Sequence, residues 1–176
     1  MSVGRRIKIK RLDGCVSLPS YQTDGAAGMD LYAARPVATR PWAVMRPWAV
    51  MRHQRLPSAV TDAGLTLEPG DRARIPVGFA VAIPDGWELQ IRPRSGMAWR
   101  DGVTVANSPG TIDSDYRGSV AVLLVNHGAQ PIHIQPGDRI AQGVLCPVGR
   151  ARFDEVDDLP ATVRGSGGFG STGKGL

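Results

Sequence analysis

The sequence predicts an all-β fold, a sandwich or barrel of many short strands in one domain. Short apolar runs such as 87–91 and 140–144 recur along the 176 residues, and Pro-Gly or Asp-Gly turns separate them. Glycine (22 residues) and proline (14 residues) are frequent, while aromatic residues make up only 6%. Proline presets φ in such turns and glycine accepts positive φ, so each pair marks the end of a strand. A chain of this length can bury a core without disulfides.

The first predicted strand covers 5–12, where Ile7 and Ile9 alternate with Lys8 and Lys10 and so give one buried and one solvated face. Turns are predicted at 68–71, 83–86 and 135–138. They separate further strands at 75–83, 87–91, 120–125, 132–134 and 140–144. The only predicted helix covers 95–100, with Ser95 as its N-cap or in its first turn.

Composition and charge narrow the class of protein. Cys15 and Cys146 lie far apart without a C-x-x-C pair, which predicts free thiols in a reducing compartment. His53, His127 and His133 lack metal-ligand spacing, so we expect no zinc site. No apolar run approaches the ~18 residues of a membrane span, and we expect a soluble cytoplasmic protein. The net charge of +5 fits either weak non-specific binding to nucleic acid or binding of a small polyanion such as a triphosphate.

The segment 107–118, NSPGTIDSDYRG, carries the strongest chemical signal. Strand patterns at 103–106 and 119–125 flank it and predict a hairpin. Asp113 on this rigid backbone can accept a proton from water. Backbone groups near Asn107 and Gly110 can pair with a flat ring, and Tyr116 offers a face to a sugar. An ordinary turn with a packed tyrosine remains the alternative.

Three other positions are candidates for anion or metal binding. Asp30 enters a strand after a glycine-rich turn, where it can hold metal-bound water or only cap the turn. Arg94 and Ser95 begin the predicted helix, which favours an anion site, although a salt-bridged Arg94 and a capping Ser95 are equally compatible with the pattern. Gln142 is polar at a position where the strand pattern accepts an apolar residue.

Two segments fall outside the strand pattern. The hexapeptide RPWAVM occurs twice in succession at 40–51, and we interpret about 39–56 as a surface insertion. It is either a contact surface for a partner or a neutral duplication. The tail 164–176 is too rich in glycine to fold alone. Its backbone N–H groups, Arg164 and Lys174 suit phosphates and Phe169 can cover a base, which predicts a lid rather than a disordered end.

Five stretches, in this order, resemble the trimeric deoxyuridine triphosphatases. They are AGMDLYA at 27–33, PRSGMA at 93–98, GTIDSDYRG at 110–118, GDRIAQ at 137–142 and RGSGGFGSTG at 164–173. The resemblance extends from about residue 7 to 173 and leaves out the duplicated hexapeptide. It implies a jelly-roll-like β-clip subunit at 1–163, a flexible lid at 164–176, and a homotrimer in which three chains build each active site.

The same resemblance implies the reaction. It predicts Mg²⁺-assisted water attack on the α-phosphate of dUTP, giving dUMP and pyrophosphate, which keeps uracil out of DNA and supplies dUMP for thymidylate synthesis. Asp113 would orient and deprotonate the water, and Asp30 would approach the metal through water. We expect no membrane partner and no specific nucleic acid.

The resemblance also assigns substrate contacts. It assigns the phosphates to Arg94, Ser95, Gly96 and Gln142, and the γ-phosphate to Arg164, Ser166 and Gly167. It assigns the uracil to Asn107, Gly110, Thr111 and Ile112, with Phe169 covering the ring. It assigns the deoxyribose to Tyr116. Two other functions stay open at this point. One is a deoxycytidine triphosphate deaminase of similar fold, and the other is a non-hydrolytic nucleotide-sensing or interaction protein that uses the Arg/Trp insertion.

Overall fold

The computed structural model describes residues 5–37, 43–45, 63–168, 171 and 173, with the backbone alone at 43–45. These residues form twelve strands and one short helix, which confirms the predicted all-β class with a single helix. The elements are β1 (Lys8–Arg11), β2 (Met29–Tyr32), β3 (Ala43–Met45), β4 (Leu65–Leu67), β5 (Arg72–Pro76), β6 (Phe79–Ala82), β7 (Trp87–Arg92), α1 (Ser95–Asp101), β8 (Val103–Val105), β9 (Gly110–Ile112), β10 (Ala121–Asn126), β11 (Ile132–Ile134) and β12 (Arg139–Pro147). In this part of the chain no helix is long and apolar enough to cross a membrane.

Antiparallel pairing joins the strands into four sheets. Two sheets have four strands, in the orders β3-β5-β10-β8 and β2-β12-β7-β9, and two are the pairs β1-β6 and β4-β11. Alternation fixes which faces are buried: in β5, Ala73 and Ile75 are buried while Arg72 and Arg74 are exposed. One continuous apolar core results, and its largest fully buried side chains include Phe79, Leu31, Leu65, Leu67, Ile75, Leu124, Ile134 and Ile140.

The predicted turns are present. At 135–138 the amide of Asp138 donates to the Gln135 carbonyl at 3.0 Å, and the Asp138 carboxylate accepts from the Gln135 amide at 2.8 Å. Gly137 has a φ of 94°, a conformation that glycine adopts without strain. The turn ends immediately before β12, so it fixes the position of Arg139, the first residue of that strand.

The segment between β8 and β10 is more complex than the predicted hairpin. The two strands do pair, with Leu124 opposite Val105. The chain between them does not turn tightly, however, because β9 crosses to the other four-stranded sheet and pairs there with β7. Its register places Gly110 opposite Ile91 and Ile112 opposite Leu89. The candidate segment therefore links both large sheets.

The N-terminal strand is less buried than its alternation predicts. All four residues of β1 are exposed, Ile9 by 38%, while Ile7 is partly buried against the core. The reason is that β1 has β6 as its single strand partner among the residues that the structure describes. Ile7 and Ile9 line an open apolar groove of about 190 Å³ together with Leu18, Pro19, Met29, Phe79, Val81, Ile83 and Leu89.

Part of the duplicated insertion belongs to a sheet. Ala43–Met45, from the first hexapeptide, forms β3 and pairs with β5 so that Val44 lies opposite Ala73. As the outermost strand of its sheet, β3 is compatible with the proline that precedes it. The remainder of the predicted insertion, 39–42 and 46–56, lies outside the described residues.

Candidate functional site

A buried carboxylate on β2 organises the candidate site. Asp30 is only 8% exposed, and its Oδ1 lies 3.3 Å from Nε of Arg94 while its Oδ2 lies 3.2 Å from Nη1 of Arg139. Burial of a carboxylate is costly unless cations or hydrogen-bond donors surround it, and here two arginines supply them. Asp30 therefore holds two guanidinium groups side by side, one at the entry of α1 and one at the start of β12.

The two arginines keep donors available for a ligand. Nη1 of Arg94 donates to the Arg139 carbonyl at 3.0 Å, which links them directly. Their side chains are 29% and 46% exposed respectively, so neither is enclosed by its ion pair with Asp30. Each guanidinium has five N–H donors in a planar fork that fits phosphate oxygens. The ion pair considered for Arg94 is thus present, and it leaves anion binding possible.

Gln142 connects this arginine pair to the helix entry. In β12 it lies opposite Asp30 on one side and opposite Arg92 on the other. Its Nε2 donates to the Pro93 carbonyl at 3.0 Å. The polar residue that interrupts the strand pattern therefore fixes the chain just before α1.

Helix α1 begins without a side-chain cap. Arg94 is the N-cap residue, with φ −90° and ψ 126°, and it makes no capping hydrogen bond. Ser95 lies in the first turn, where no acidic side chain is present. Ser95 thus does not act as the N-cap, and the first-turn N–H groups have no side-chain acceptor among the described residues. Gly96 lies beside them, and a Cβ there would come within 3.1 Å of Nη1 of Arg100.

These side chains meet in a cavity of about 300 Å³. It is lined by Gln22, Ala26, Gly28, Asp30, Arg94, Ser95, Gly96, Arg139 and Gln142. The structure thus brings together all five residues that the sequence assigned to the phosphate and metal region.

Arg139, Gln22 and Gly28 are lining residues that the sequence analysis missed. Strict alternation puts Arg139 and Gln142 on opposite faces of β12, because they are three residues apart. A register shift between Arg139 and Ala141 breaks this alternation and allows both to line the cavity. No alternation pattern marks such a bulge in advance. For Arg139 the usable signal was its place directly after the Pro-Gly turn.

The second candidate region surrounds β9. It is the outermost strand of its sheet, so one edge of Gly110–Ile112 has no strand partner among the described residues. Gly110 is buried, and a Cβ there would lie 3.2 Å from both Nδ2 of Asn107 and Cβ of Ile91. The glycine therefore lets the exposed Asn107 side chain lie against the start of β9. Thr111 is exposed and Ile112 is half-buried.

Asp113 and Tyr116 lie in the turn that follows β9. The amide of Tyr116 donates to the Asp113 carbonyl at 3.2 Å, and the Tyr116 hydroxyl donates to the Ser119 carbonyl at 3.0 Å. The tyrosine ring lies against Gly118 and remains 41% exposed. The Asp113 side chain is exposed and makes no hydrogen bond or ion pair with the described residues.

The two regions are well separated within one chain. Ile112 lies opposite Leu89 and Gln142 opposite Arg92, on strands that flank β7 on either side. Two strand spacings of roughly 5 Å each and three residues of roughly 3.3 Å each place Ile112 about 14 Å from Gln142. Asp113 continues away from the cavity, because β9 runs antiparallel to β7.

The C-terminal segment is exposed along its length. Phe153 is 95% exposed and Leu159 is 84% exposed, a large apolar exposure for side chains of this type. At the start of the tail, Nε of Arg164 donates to the Gly167 carbonyl at 2.8 Å and the Gly167 amide donates to the Arg164 carbonyl at 3.1 Å. Arg164 and Ser166 are exposed, Gly167 is half-buried, and none of the three lines the cavity. Phe169 lies outside the described residues.

The described residues offer no direct ligand set for a metal. No group of three or more His, Cys, Asp or Glu side chains among them is close enough to hold an ion. Both oxygens of Asp30 already contact arginines. Any contact between Asp30 and a divalent ion would therefore pass through water.

Comparisons with known proteins identify the family of this chain. A family model described as dUTPase matches residues 59–173. A deoxyuridine 5'-triphosphate nucleotidohydrolase of Caulobacter vibrioides is 49% identical over 172 residues, covering 97% of this chain and 96% of the relative. The corresponding Desulfotalea psychrophila protein is 51% identical over 158 residues, covering 90% and 88%.

Solved structures show the same fold at low sequence identity. The Staphylococcus bacteriophage 80alpha dUTPase with dUPNHPP has a TM-score of 0.73 at 21% identity, covering 97% of this chain and all of its own. A dUTPase variant from phage phi11 of S. aureus, described with a structural Mg(II) ion, has a TM-score of 0.66 at 17% identity, covering 89% and 100%. With two relatives near 50% identity over most of the chain and a matching family model, this protein belongs to the dUTPase family.

Proposed function

We propose that the protein hydrolyses dUTP to dUMP and pyrophosphate by attack of water on the α-phosphate. The observation that carries this proposal is the cavity in which Asp30 holds Arg94 and Arg139 together beside Gln142. Two half-exposed guanidinium groups can neutralise the oxygens of a polyphosphate, which is the main requirement for water to attack it. Family membership supplies the substrate.

The phosphate chain binds in this cavity. Arg94 and Arg139 contact its oxygens, and the Ser95 hydroxyl and the first-turn N–H groups at Gly96 add neutral donors. Gln142 contributes an N–H that its bond to Pro93 leaves available. Asp30 would hold a phosphate-bound Mg²⁺ through water, and the ion would supply additional positive charge at the phosphates.

The open edge of β9 binds the pyrimidine. Backbone groups of Gly110, Thr111 and Ile112 on that edge can pair with the alternating donors and acceptors of uracil. Asn107 adds a side-chain carboxamide, which offers an N–H donor and a carbonyl acceptor. Tyr116 presents its exposed ring to the deoxyribose, where close packing excludes a 2′-hydroxyl.

Asp113 acts as the general base. Its carboxylate is exposed on a short turn and forms no ion pair with the described residues. Bound substrate and the closing tail remove this exposure to solvent during turnover. The carboxylate then orients one water and takes its proton as the water attacks phosphorus. The departing pyrophosphate keeps its contacts with the arginines.

Each active site combines parts of three chains in a homotrimer. The separation of about 14 Å between the cavity and Ile112 supports this arrangement, since one chain does not bring the two regions together. The exposed apolar side chains Phe153 and Leu159 provide surface for a neighbouring chain. The tail of a third chain brings Arg164, Ser166 and Gly167 to the γ-phosphate and Phe169 over the uracil. In this scheme 1–163 is the folded domain and 164–176 the lid.

The free thiols Cys15 and Cys146 suit a reducing compartment, and we place the reaction in the cytoplasm.

Pyrophosphate release tests the reaction. Purified protein is supplied with dUTP, UTP, dTTP or dCTP, with and without Mg²⁺. We expect rapid release from dUTP in Mg²⁺ and little from the other three. Ammonia released from dCTP would indicate a deaminase instead. The absence of any product from all four nucleotides would favour a sensing or interaction protein.

Subunit mixing tests the shared site. Arg94→Ala removes the cavity function and Asp113→Asn removes the base, so each variant alone is inactive. When the two are refolded together at equal amounts, heterotrimers contain sites with both parts intact, and we expect about a quarter of wild-type turnover. No recovery would mean that one chain supplies both parts.

A further inference from the structure

We propose that Gly28 is a positioning residue that provides the space in which the Gln142 carboxamide lies. Gly28 directly precedes β2, and across the β2-β12 pair Met29 lies opposite Gly143 and Asp30 opposite Gln142. A Cβ on Gly28 would overlap Oε1 of Gln142 and lie 3.1 Å from its Cδ and 3.3 Å from its Cβ. Any side chain at position 28 therefore displaces the amide.

The requirement for glycine at this position is steric and not conformational. The backbone of Gly28 does not adopt a left-handed φ, unlike that of Gly137 or Gly102, so alanine can adopt its conformation. The overlap is with the end of a flexible side chain and not with a neighbouring backbone. A methyl group here consequently moves the Gln142 amide, while its 3.3 Å approach to the Gln142 Cβ requires only a small adjustment of the strand.

The orientation of the amide follows from its partner. The Pro93 carbonyl can only accept, so the Gln142 atom that faces it is Nε2, and the oxygen Oε1 then faces Gly28. One N–H of Nε2 is used by Pro93 and the other has no acceptor among the described residues. Both Gly28 and Gln142 line the phosphate cavity. Gly28 thereby leaves room for the orientation in which Gln142 offers a donor to a phosphate oxygen, an inference that rests on the proposed function.

A pair of glycine variants tests the proposal. Gly28→Ala should raise the Kd for α,β-imido-dUTP with Mg²⁺, and the KM for dUTP, roughly ten- to a hundred-fold, the effect of losing a hydrogen bond to a charged group. The melting temperature should stay close to wild type. Gly25→Ala is the matched control, because a Cβ there meets nothing within 4 Å, and we expect no change in either constant. Wild-type affinity in Gly28→Ala would overturn the proposal.

A double-mutant cycle separates this effect from a structural one. In a Gln142→Ala background, Gly28→Ala should add little further loss of affinity, because no carboxamide remains to be displaced. Independent, additive losses would overturn the proposal. If Gly28→Ala alone folds poorly, the double variant should recover its melting temperature, and a failure to recover would equally contradict it.

The same cycle distinguishes this proposal from the proposed function. If Gln142→Ala weakens binding of the imido nucleotide and Gly28→Ala does not, the positioning role fails while the function stands. If Gln142→Ala has no effect on binding, Gln142 does not contact the phosphates and its assigned part in the function fails as well.

Discussion

The phosphate cavity and the β9 region differ in how far a single chain completes them. In the cavity, the charge of Asp30 is balanced within the chain by Arg94 and Arg139, so the arrangement exists before any ligand binds. Around β9, a strand edge is open and Asp113 is exposed without a side-chain partner among the described residues. A buried charge needs a partner within the chain. An exposed strand edge and an exposed carboxylate are solvated, so they are stable before a ligand or another chain binds. The first region is therefore preorganised, and the second depends on what covers it.

Removing the base is the most severe test of this difference. Asp113→Asn should lower kcat roughly a thousand-fold, because asparagine cannot accept the proton of the attacking water. Binding of the imido nucleotide should persist, because the cavity is unchanged. Asp115→Asn, exposed in the same turn, is the control and should keep most activity. Loss of binding together with the trimer would assign Asp113 a structural role instead.

Removing the tail tests the dependence on a neighbouring chain. A chain that ends at residue 163 should lose about a hundred-fold or more in kcat, since the γ-phosphate loses its donors and the site stays open to water. Circular dichroism should show an intact fold, because Arg164, Ser166 and Gly167 bond only within their own turn among the described residues. Undiminished kcat in this truncated protein would refute the lid.

Disturbing the preorganised region should affect binding and stability together. Asp30→Asn removes the charge that holds Arg94 and Arg139, so we expect about ten-fold weaker nucleotide binding and a loss of about 1 to 2 kcal/mol in the free energy of unfolding. This loss is modest because both guanidinium groups are partly exposed. Urea unfolding and calorimetric titration measure the two effects. Asp24→Asn, in the exposed loop before β2, serves as the control. If Asp30→Asn keeps wild-type affinity, Asp30 does not organise the arginines.

The smallest effect is expected for the second copy of the hexapeptide. Deletion of 46–51 removes the second hexapeptide and keeps β3, so kcat and KM should stay within about two-fold of wild type, as for other changes in surface insertions. A larger change in steady-state kinetics would show that the insertion contacts the trimer interface or the site.

Structural features that depend on neighbouring residues were predicted from the sequence. Features that depend on pairing between residues distant in the chain were not. The Pro-Gly turns and the strand patterns depend on neighbouring residues, so the strand at 87–92 was predicted to within one residue and the strand at 139–147 over its first half. The crossing of β9 to a second sheet depends on residues that are distant in sequence. Likewise, the bulge that brings Arg139 beside Gln142 breaks the alternation on which the prediction relied.

The predictions of site residues also differ in outcome between the cavity and the β9 region. Asp30, Arg94, Ser95, Gly96 and Gln142 do converge on one cavity, while the roles of Asp113 and Tyr116 stay predictions. The low burial of Ile9 had no sequence signal, because its strand pattern is the same at the margin of a fold as in the centre.

The strand contributed by the insertion has a consequence for solubility. Without β3, the five residues of β5 would form the border of a large sheet and present unpaired amides and carbonyls, a template on which other chains aggregate. Three residues of the duplicated sequence pair with Arg72, Ala73 and Arg74 and shorten that exposed edge. Three residues of a repeated segment thus cover part of a strand edge that would otherwise favour misassembly.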